Sequence, residues 1–285
     1  MQYNYLTSES INAFIDNALT EDVGDGDHTS LASIPAGQLG QARLILKDTG
    51  ILAGIEVAVR IFERVDSRLN VTVNMKDGDM FEYGQIALTV SGSVHSILIA
   101  ERLVLNTMQR MSGIASYTHS LQKLISHTKA KVLDTRKTTP NFRMMEKWAV
   151  QIGGGVNHRY GLFDMILLKD NHVDFSGGIK NALQNSKAYI LKSSKPLKIE
   201  IETRSIAEVK EALEEGGAFR IMLDNMSPDL MKEAVKLIGN KAETEASGGI
   251  NEKTIVSVAE SGVDYISIGS LSHSYKSKDM SLKAF

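Results

Sequence analysis

The chain has 285 residues, 42% hydrophobic and 23% charged, with a formal net charge of −2; this suits a globular protein with a sizeable core and excludes disordered, collagen and coiled-coil architectures. It contains no apolar run long enough to span a bilayer, and the opening MQYNYLTSES lacks the basic and apolar regions of a secretory signal, so no membrane association is expected. Zero cysteines remove disulfides, thiolate nucleophiles and cysteine-based zinc sites and suit a cytoplasmic setting, while near-neutral charge argues against a nucleic-acid partner and requires any cationic site to be local.

Ile11, Phe14, Ile15, Ala18 and Leu19 recur at helical spacing behind Ser8, the expected N-cap. The helix stops at the turn cluster Glu21-Asp22-Val23-Gly24-Asp25-Gly26-Asp27, which lacks the twelfth-position glutamate of a calcium loop, since Ala36 stands there. Between Arg43 and Val90 short apolar runs alternate with turns, around a helix carrying Ala58, Ile61, Phe62 and Val65. A helix from about Ser96 to Met111 then leads to Ser112-Gly113. The expected first domain is therefore an α+β module of residues 1–112.

After Gly113 the rhythm changes. Apolar strands now end in a polar residue, followed by a loop and an amphipathic helix. Lys131-Val132-Leu133 runs into Asp134-Thr135-Arg136-Lys137, and Met165-Ile166-Leu167-Leu168 into Lys169-Asp170. Later strands end at Glu202, Asp224, Ser247 and Gly269, stations about 22 residues apart, the length of one strand-loop-helix unit. Ser205 with Glu208, and Ser227-Pro228 with Gly239, punctuate the helices between them. Repeated βα units predict a parallel sheet, and six or more suggest a barrel over residues 113–272; an open doubly wound sheet is the alternative. Residues 273–285 form a tail that can return to the first domain.

In a barrel the C-terminal strand ends share one face, and the active site lies there. Those ends bring together Arg136, Lys137, Lys169, Glu202 and Asp224, with the small-residue turns Ser247-Gly248-Gly249 and Ile268-Gly269-Ser270 offering backbone N–H groups to phosphate. The segment Gly153-Gly154-Gly155-Val156-Asn157-His158-Arg159 is too rich in glycine for a helix and too polar for a strand, so it is expected as a loop near the ligand. Arg136, Lys137, Arg159 and Lys169 in one place repel one another unless a polyanion lies between them. The competing reading pairs them with Asp134, Asp170, Glu200 and Asp224 as structural salt bridges. Glu202 and Asp224 suit ribose hydroxyls or a divalent cation held through water, and alternation puts Glu200 on the same side of its strand as Glu202, leaving the choice open. A Schiff-base role for Lys169 also stays open.

The motifs Asp134-Thr135-Arg136-Lys137-Thr138-Thr139-Pro140, Gly153 to Arg159, Leu167-Leu168-Lys169-Asp170-Asn171-His172 and Met222-Leu223-Asp224-Asn225 resemble those of the quinolinate phosphoribosyltransferase family. The likeness extends to Asp22 to Thr29, Glu101-Arg102-Leu103, Ser112-Gly113-Ile114-Ala115, Ser247 to Ile250 and Ile268-Gly269-Ser270. It implies an α/β protein in which an N-terminal α+β open sandwich precedes an incomplete parallel TIM-like barrel. The implied reaction joins quinolinate to phosphoribosyl pyrophosphate with Mg²⁺, giving nicotinate mononucleotide, pyrophosphate and carbon dioxide on the route to NAD.

By this likeness Arg136, His158, Arg159 and Lys169 line the quinolinate carboxylates, with Thr138 in the same substrate-binding set. Lys137, Glu202 and Asp224 serve phosphoribosyl pyrophosphate and its metal, and residues 247–249 and 268–270 hold phosphate. Lys137, Lys169, Glu202 and Asp224 are the implied catalytic residues. Arg102 reaches the site of a neighbouring subunit, implying a homodimer or a hexamer built from dimers. One departure stands out: Val132-Leu133-Asp134-Thr135 has one acid, not the acidic pair of many other phosphoribosyltransferases. A molybdenum-associated relative with another acceptor is the nearest alternative, and a Schiff-base aldolase a more distant one.

Overall fold

The computed structural model describes residues 4–285, which form two compact units. The elements in chain order are α1 (Ser8–Val23), α2 (His28–Ser33), β1 (Leu39–Leu46), β2 (Gly50–Ile51), α3 (Ile55–Val65), β3 (Asn70–Val73), β4 (Met80–Phe81), β5 (Ile86–Ser93) and the long α4 (Val94–Leu124). They continue with β6 (Lys131–Leu133), α5 (Arg143–Ile152), β7 (Ile166–Leu168), α6 (Asp170–Ser176), α7 (Ile179–Ser193), β8 (Ile199–Thr203) and α8 (Ile206–Glu215). The last are β9 (Arg220–Asp224), α9 (Pro228–Ile238), β10 (Glu243–Ser247), α10 (Ile255–Ala259), β11 (Tyr265–Ser267), α11 (Ser270–His273) and β12 (Met280–Ala284). One unit comprises Asn4–His119, Thr138–Gly154 and Leu271–Phe285; the other comprises Ser120–Lys137 and Gly155–Ser270.

The first unit is built on an antiparallel sheet of order β12-β1-β5-β3. Alternation along β1 buries Ala42, Leu44 and Leu46, and the apolar faces of α1 (Ile11, Ile15) and α3 (Val57, Ala58, Ile61, Phe62) are buried in the same unit. The tail returns as β12, pairing antiparallel with β1 from Met280 to Ala284. At the N-terminus of α1 the cap is Thr7, whose side chain accepts the Ser10 N–H at 3.1 Å, one residue before the expected Ser8.

The helix expected to stop at Met111 runs on to Leu124. Ser112 and Gly113 read as a break because both disfavour helix interiors, yet each has a tertiary role in this unit. Ser112 Oγ accepts the Ala53 N–H at 2.9 Å and lies 3.1 Å from the Ala53 carbonyl. At Gly113 a side chain is excluded, since a Cβ there would lie 2.5 Å from the Lys276 carbonyl oxygen of the returning tail.

The second unit holds six parallel strands in the order β6-β11-β10-β9-β8-β7. Pairing of β6, its first strand, with β11, its last, carries the sheet round as a barrel rather than an open doubly wound sheet. The ring is incomplete between β6 and β7, the strands flanking the 134–165 segment. Val156 from that segment forms a single parallel bridge with Leu133 on β6. Strand residues are buried on both faces, from Ile199 and Ile201 through Ile221 and Leu223 to Ala246 and Ile266, as helices outside and packed side chains inside require. Capping follows the spacing: Ser205 Oγ accepts the Glu208 N–H at 3.2 Å, and Ser227 caps α9 ahead of Pro228, with Gly239 at its end.

Candidate active site

Charged side chains interrupt the apolar barrel strands at two levels. At the deeper level strand register sets Arg220 on β9 opposite Glu200 on β8 and Glu243 on β10. The Arg220 guanidinium lies 3.1 Å from Glu245, 3.8 Å from Glu200 and 2.8 Å from Glu243. Glu200 and Glu245 have no solvent exposure, and burial, together with the Glu200 charge, pushes the Glu245 carboxyl up to about 8. Glu200 is raised by the same loss of solvent.

His158 joins this cluster, its Nε2 3.0 Å from Glu200 and 3.6 Å from Glu245. Its loop is tied to the end of β6 by buried Asp134, which accepts the His158 N–H at 2.8 Å and the Asn157 amide at 2.6 Å. The loop reading of Gly153 to Arg159 therefore has a physical basis: these residues bind through main chain and short polar side chains and continue no strand.

Two residues further along β8, nearer the C-terminal strand ends, lies Glu202. Burial pushes its carboxyl up, as do the charges of Asp224 and Asp170; Lys169 and the Asp170 N–H act in the opposite sense. Glu202, Asp224 and Lys169 thus converge from β9 and the ends of β8 and β7. This separates the two glutamates that alternation could not: Glu200 belongs to the buried cluster and Glu202 to the strand-end group.

Beside them Arg136 and Arg159 come close enough that the charge of Arg136, after burial, lowers Arg159. Each holds a buried Nε with no hydrogen-bond partner. Arg159 is otherwise fixed, since its Nη1 donates to the Met165 carbonyl at 3.0 Å and its N–H to His158 Nδ1 at 2.7 Å. Glu200 and Asp164 act on Arg159 electrostatically, yet neither reaches its Nε. Two guanidiniums near enough to repel, each with an orphaned buried donor, form a site for an anion.

The turns complete the face. Asn225, in the left-handed conformation at φ 53°, donates its N–H to the Ser247 carbonyl at 2.9 Å and its side-chain amide to Asp224 at 2.6 Å. Gly248 has φ 101°, and any Cβ on it would collide with the Asn225 side chain, so close approach and backbone conformation both require glycine. The Ile268 N–H donates to the Leu133 carbonyl at 3.0 Å, fixing the start of the Ile268-Gly269-Ser270 turn on β6.

The barrel unit contains Arg136, Lys137, His158, Arg159, Lys169, Glu202, Asp224, Ser247, Gly248, Gly249, Ile268, Gly269 and Ser270. Thr138 belongs to the other unit, where it accepts from Arg143 Nε at 2.9 Å. Arg102 also lies there, exposed on α4. Sequence reasoning assigned no site role to Arg220 or Glu245, nor to Glu146 and Arg110, which hold the loop after Lys137. Glu146 accepts the Thr139 N–H at 3.1 Å, and Arg110 donates to the Thr139 hydroxyl at 2.9 Å. The available signal was a charged residue inside an otherwise apolar strand, as at Glu200 and Glu245.

Residues 27–112 match the family model described as quinolinate phosphoribosyl transferase, N-terminal domain, and residues 114–283 match that of the C-terminal domain. Over 288 residues the chain is 46% identical to the chloroplastic nicotinate-nucleotide pyrophosphorylase (carboxylating) of Arabidopsis thaliana, covering 96% of this chain and 82% of that one. It is 40% identical over 262 residues to a probable nicotinate-nucleotide pyrophosphorylase (carboxylating) of Bacillus subtilis, covering 92% and 89%. The solved structure of the nicotinate-nucleotide pyrophosphorylase from Francisella tularensis aligns with a TM-score of 0.92 at 36% identity, over 100% of this chain and 99% of that one.

Proposed function

We propose a division of labour among the strand ends that starts from one fact: the chain belongs to the quinolinate phosphoribosyltransferase family. Its activity is that of a nicotinate-nucleotide pyrophosphorylase (carboxylating), the phosphoribosyltransferase of NAD synthesis that takes quinolinate as acceptor. In our reading Arg136, Arg159 and Lys169 receive the two quinolinate carboxylates, with His158 and Thr138 in the same substrate-binding set. The observation that carries this is the pair of mutually repelling guanidiniums with unpartnered buried Nε atoms. A dianion with adjacent carboxylates supplies the countercharge this pair lacks.

Lys137, with the turns at 247–249 and 268–270, takes the phosphate and pyrophosphate of the donor. Departure of pyrophosphate leaves oxocarbenium character on the ribose, which Glu202 and Asp224 stabilise as anions. The pyridine nitrogen then attacks that carbon and becomes cationic. The ring can now accept the electron pair released as the adjacent carboxylate leaves as carbon dioxide, and a proton takes the vacated carbon.

Glu202 and Asp224 also fit a magnesium ion held through water, because the charge of Asp224 pushes the Glu202 carboxyl up and one or two carboxylates plus phosphate oxygens are the ion's usual donors. When bound, the ion supplies positive charge to the leaving pyrophosphate. Arg102 stands exposed on α4, and its proposed place is at the site of a second copy in a homodimer or hexamer; light scattering, with wild type and Arg102→Ala mixed, tests this. Among the described residues no helix is long and apolar enough to cross a membrane, and the proposed setting is cytoplasmic.

The direct test mixes purified chain, Mg²⁺ and phosphoribosyl pyrophosphate with quinolinate, nicotinate or nicotinamide in parallel. Release of nicotinate mononucleotide and carbon dioxide with quinolinate alone is expected. Turnover of a different acceptor overturns the assignment.

A further inference from the structure

We infer that Glu200 and Glu245 are positioning residues for the quinolinate end of the site: they hold His158 in one tautomer and, through it, the main chain that carries Arg159. The inference rests on the reading that Arg159 receives a quinolinate carboxylate. Burying two carboxyl groups, an arginine and a histidine together is costly, and apolar side chains of similar volume often serve stability as well or better. A role beyond stability is therefore to be sought in what the cluster touches.

The contact that matters is His158. Its Nδ1 accepts the Arg159 N–H at 2.7 Å. A ring nitrogen that accepts carries no proton, so the imidazole proton is on Nε2, the atom 3.0 Å from Glu200 and 3.6 Å from Glu245. Arg220 Nη1 closes the cluster at 3.1 Å from Glu245 and 3.8 Å from Glu200. The His158, Glu200 and Glu245 donors lie within 4.8 Å of one another, but the guanidinium already supplies the positive charge a metal ion would bring. The carboxyl pair thus acts on the ring, and the ring acts on the main chain at Arg159. With the Met165 carbonyl at 3.0 Å from Nη1, that main-chain bond sets where the unpartnered Nε of Arg159 stands.

The test uses the full-length chain labelled with ¹⁵N-histidine, His158 being assigned by the signal lost in His158→Asn. Wild type is expected to show the Nε2-protonated neutral tautomer at His158; an imidazolium or an Nδ1-protonated ring overturns the inference. In steady-state assays Glu200→Ala and Glu245→Leu are expected to raise the quinolinate KM about tenfold, with the phosphoribosyl pyrophosphate KM little changed. Glu245→Gln is expected to recover most of the loss seen in Glu245→Leu. Equal rises in both KM values, or a fall in kcat alone, contradict a positioning role. Where the apolar variants fail to fold, the wild-type spectrum decides. Arg159→Ala separates this failure from that of the site reading: an unchanged quinolinate KM there overturns the site reading, whereas a raised KM there with an unchanged one in Glu200→Ala overturns only the positioning role.

Discussion

Deep in the barrel Arg220 meets carboxyl groups at 2.8, 3.1 and 3.8 Å, whereas at the strand ends Arg136 and Arg159 act on each other through their charges and hold buried Nε donors unpartnered. The two arrangements occupy one unit and use the same residue types. The deep cluster sets its guanidinium against carboxyl groups of its own strands, two of which burial pushes towards the protonated form. The strand-end group leaves guanidinium donors unpartnered in one part and sets two carboxyls, Glu202 and Asp224, near each other in another. A ligand that is anionic at one end and develops positive charge at the other satisfies both.

This contrast predicts opposite responses to substitution. The largest effect is expected in the strand-end group, where Lys169→Ala and Lys137→Ala should each lower kcat/KM by ~100-fold or more with the fold intact; initial rates of carbon dioxide release, with circular dichroism as control, measure this. Arg220→Met should act the other way, costing ~3–5 kcal/mol of stability by stranding buried carboxyls, read as a lowered urea midpoint.

A smaller effect follows from protonation. Glu245 keeps its proton up to about 8 in the folded chain and releases it near 4.5 when unfolded. The folded state therefore binds more protons between those values, and this group makes stability fall as pH rises through the window. Glu245→Gln, which cannot ionise, should flatten that slope in a melting-temperature series, and an unchanged slope would assign it to other groups. The smallest effect is expected at the surface of the same unit, at the exposed pairs of Arg204 with Asp174 and Glu208. Salt screens such pairs, so Asp174→Ala should leave the urea midpoint unmoved.

Much of the second unit was legible because its period is local. Strand, polar end, loop and helix recur about every 22 residues, and the caps at Ser205 and Ser227 stand where the spacing puts them. The gap between β6 and β7 was not legible from periodicity, because strand pairing depends on partners far apart in the chain. Ser112 and Gly113 misled for a related reason: their helix propensity is poor, but Ala53 and the returning tail at Lys276 supply contacts that outweigh it.

In the site, the strand-end cations could be named from their positions alone, because a parallel barrel puts its C-terminal strand ends on one face. The choice between Glu200 and Glu202 could not be made, since alternation gives a face and not a depth. Depth became visible only with the register that sets Arg220 beside Glu200. Glu245 and Arg220 went unassigned because their roles lie in contacts with His158 and with each other, which no spacing records.

The measurement that bears most directly on the central claim is equilibrium binding of quinolinate, by isothermal titration calorimetry, to wild type and to the double variant Arg136→Ala, Arg159→Ala. Wild type is predicted to bind quinolinate more tightly than nicotinate, which has one carboxylate fewer, and the double variant to lose that preference while remaining folded. Equal affinity of the two proteins for quinolinate would contradict the assignment of the Arg136 and Arg159 guanidiniums as its binding site.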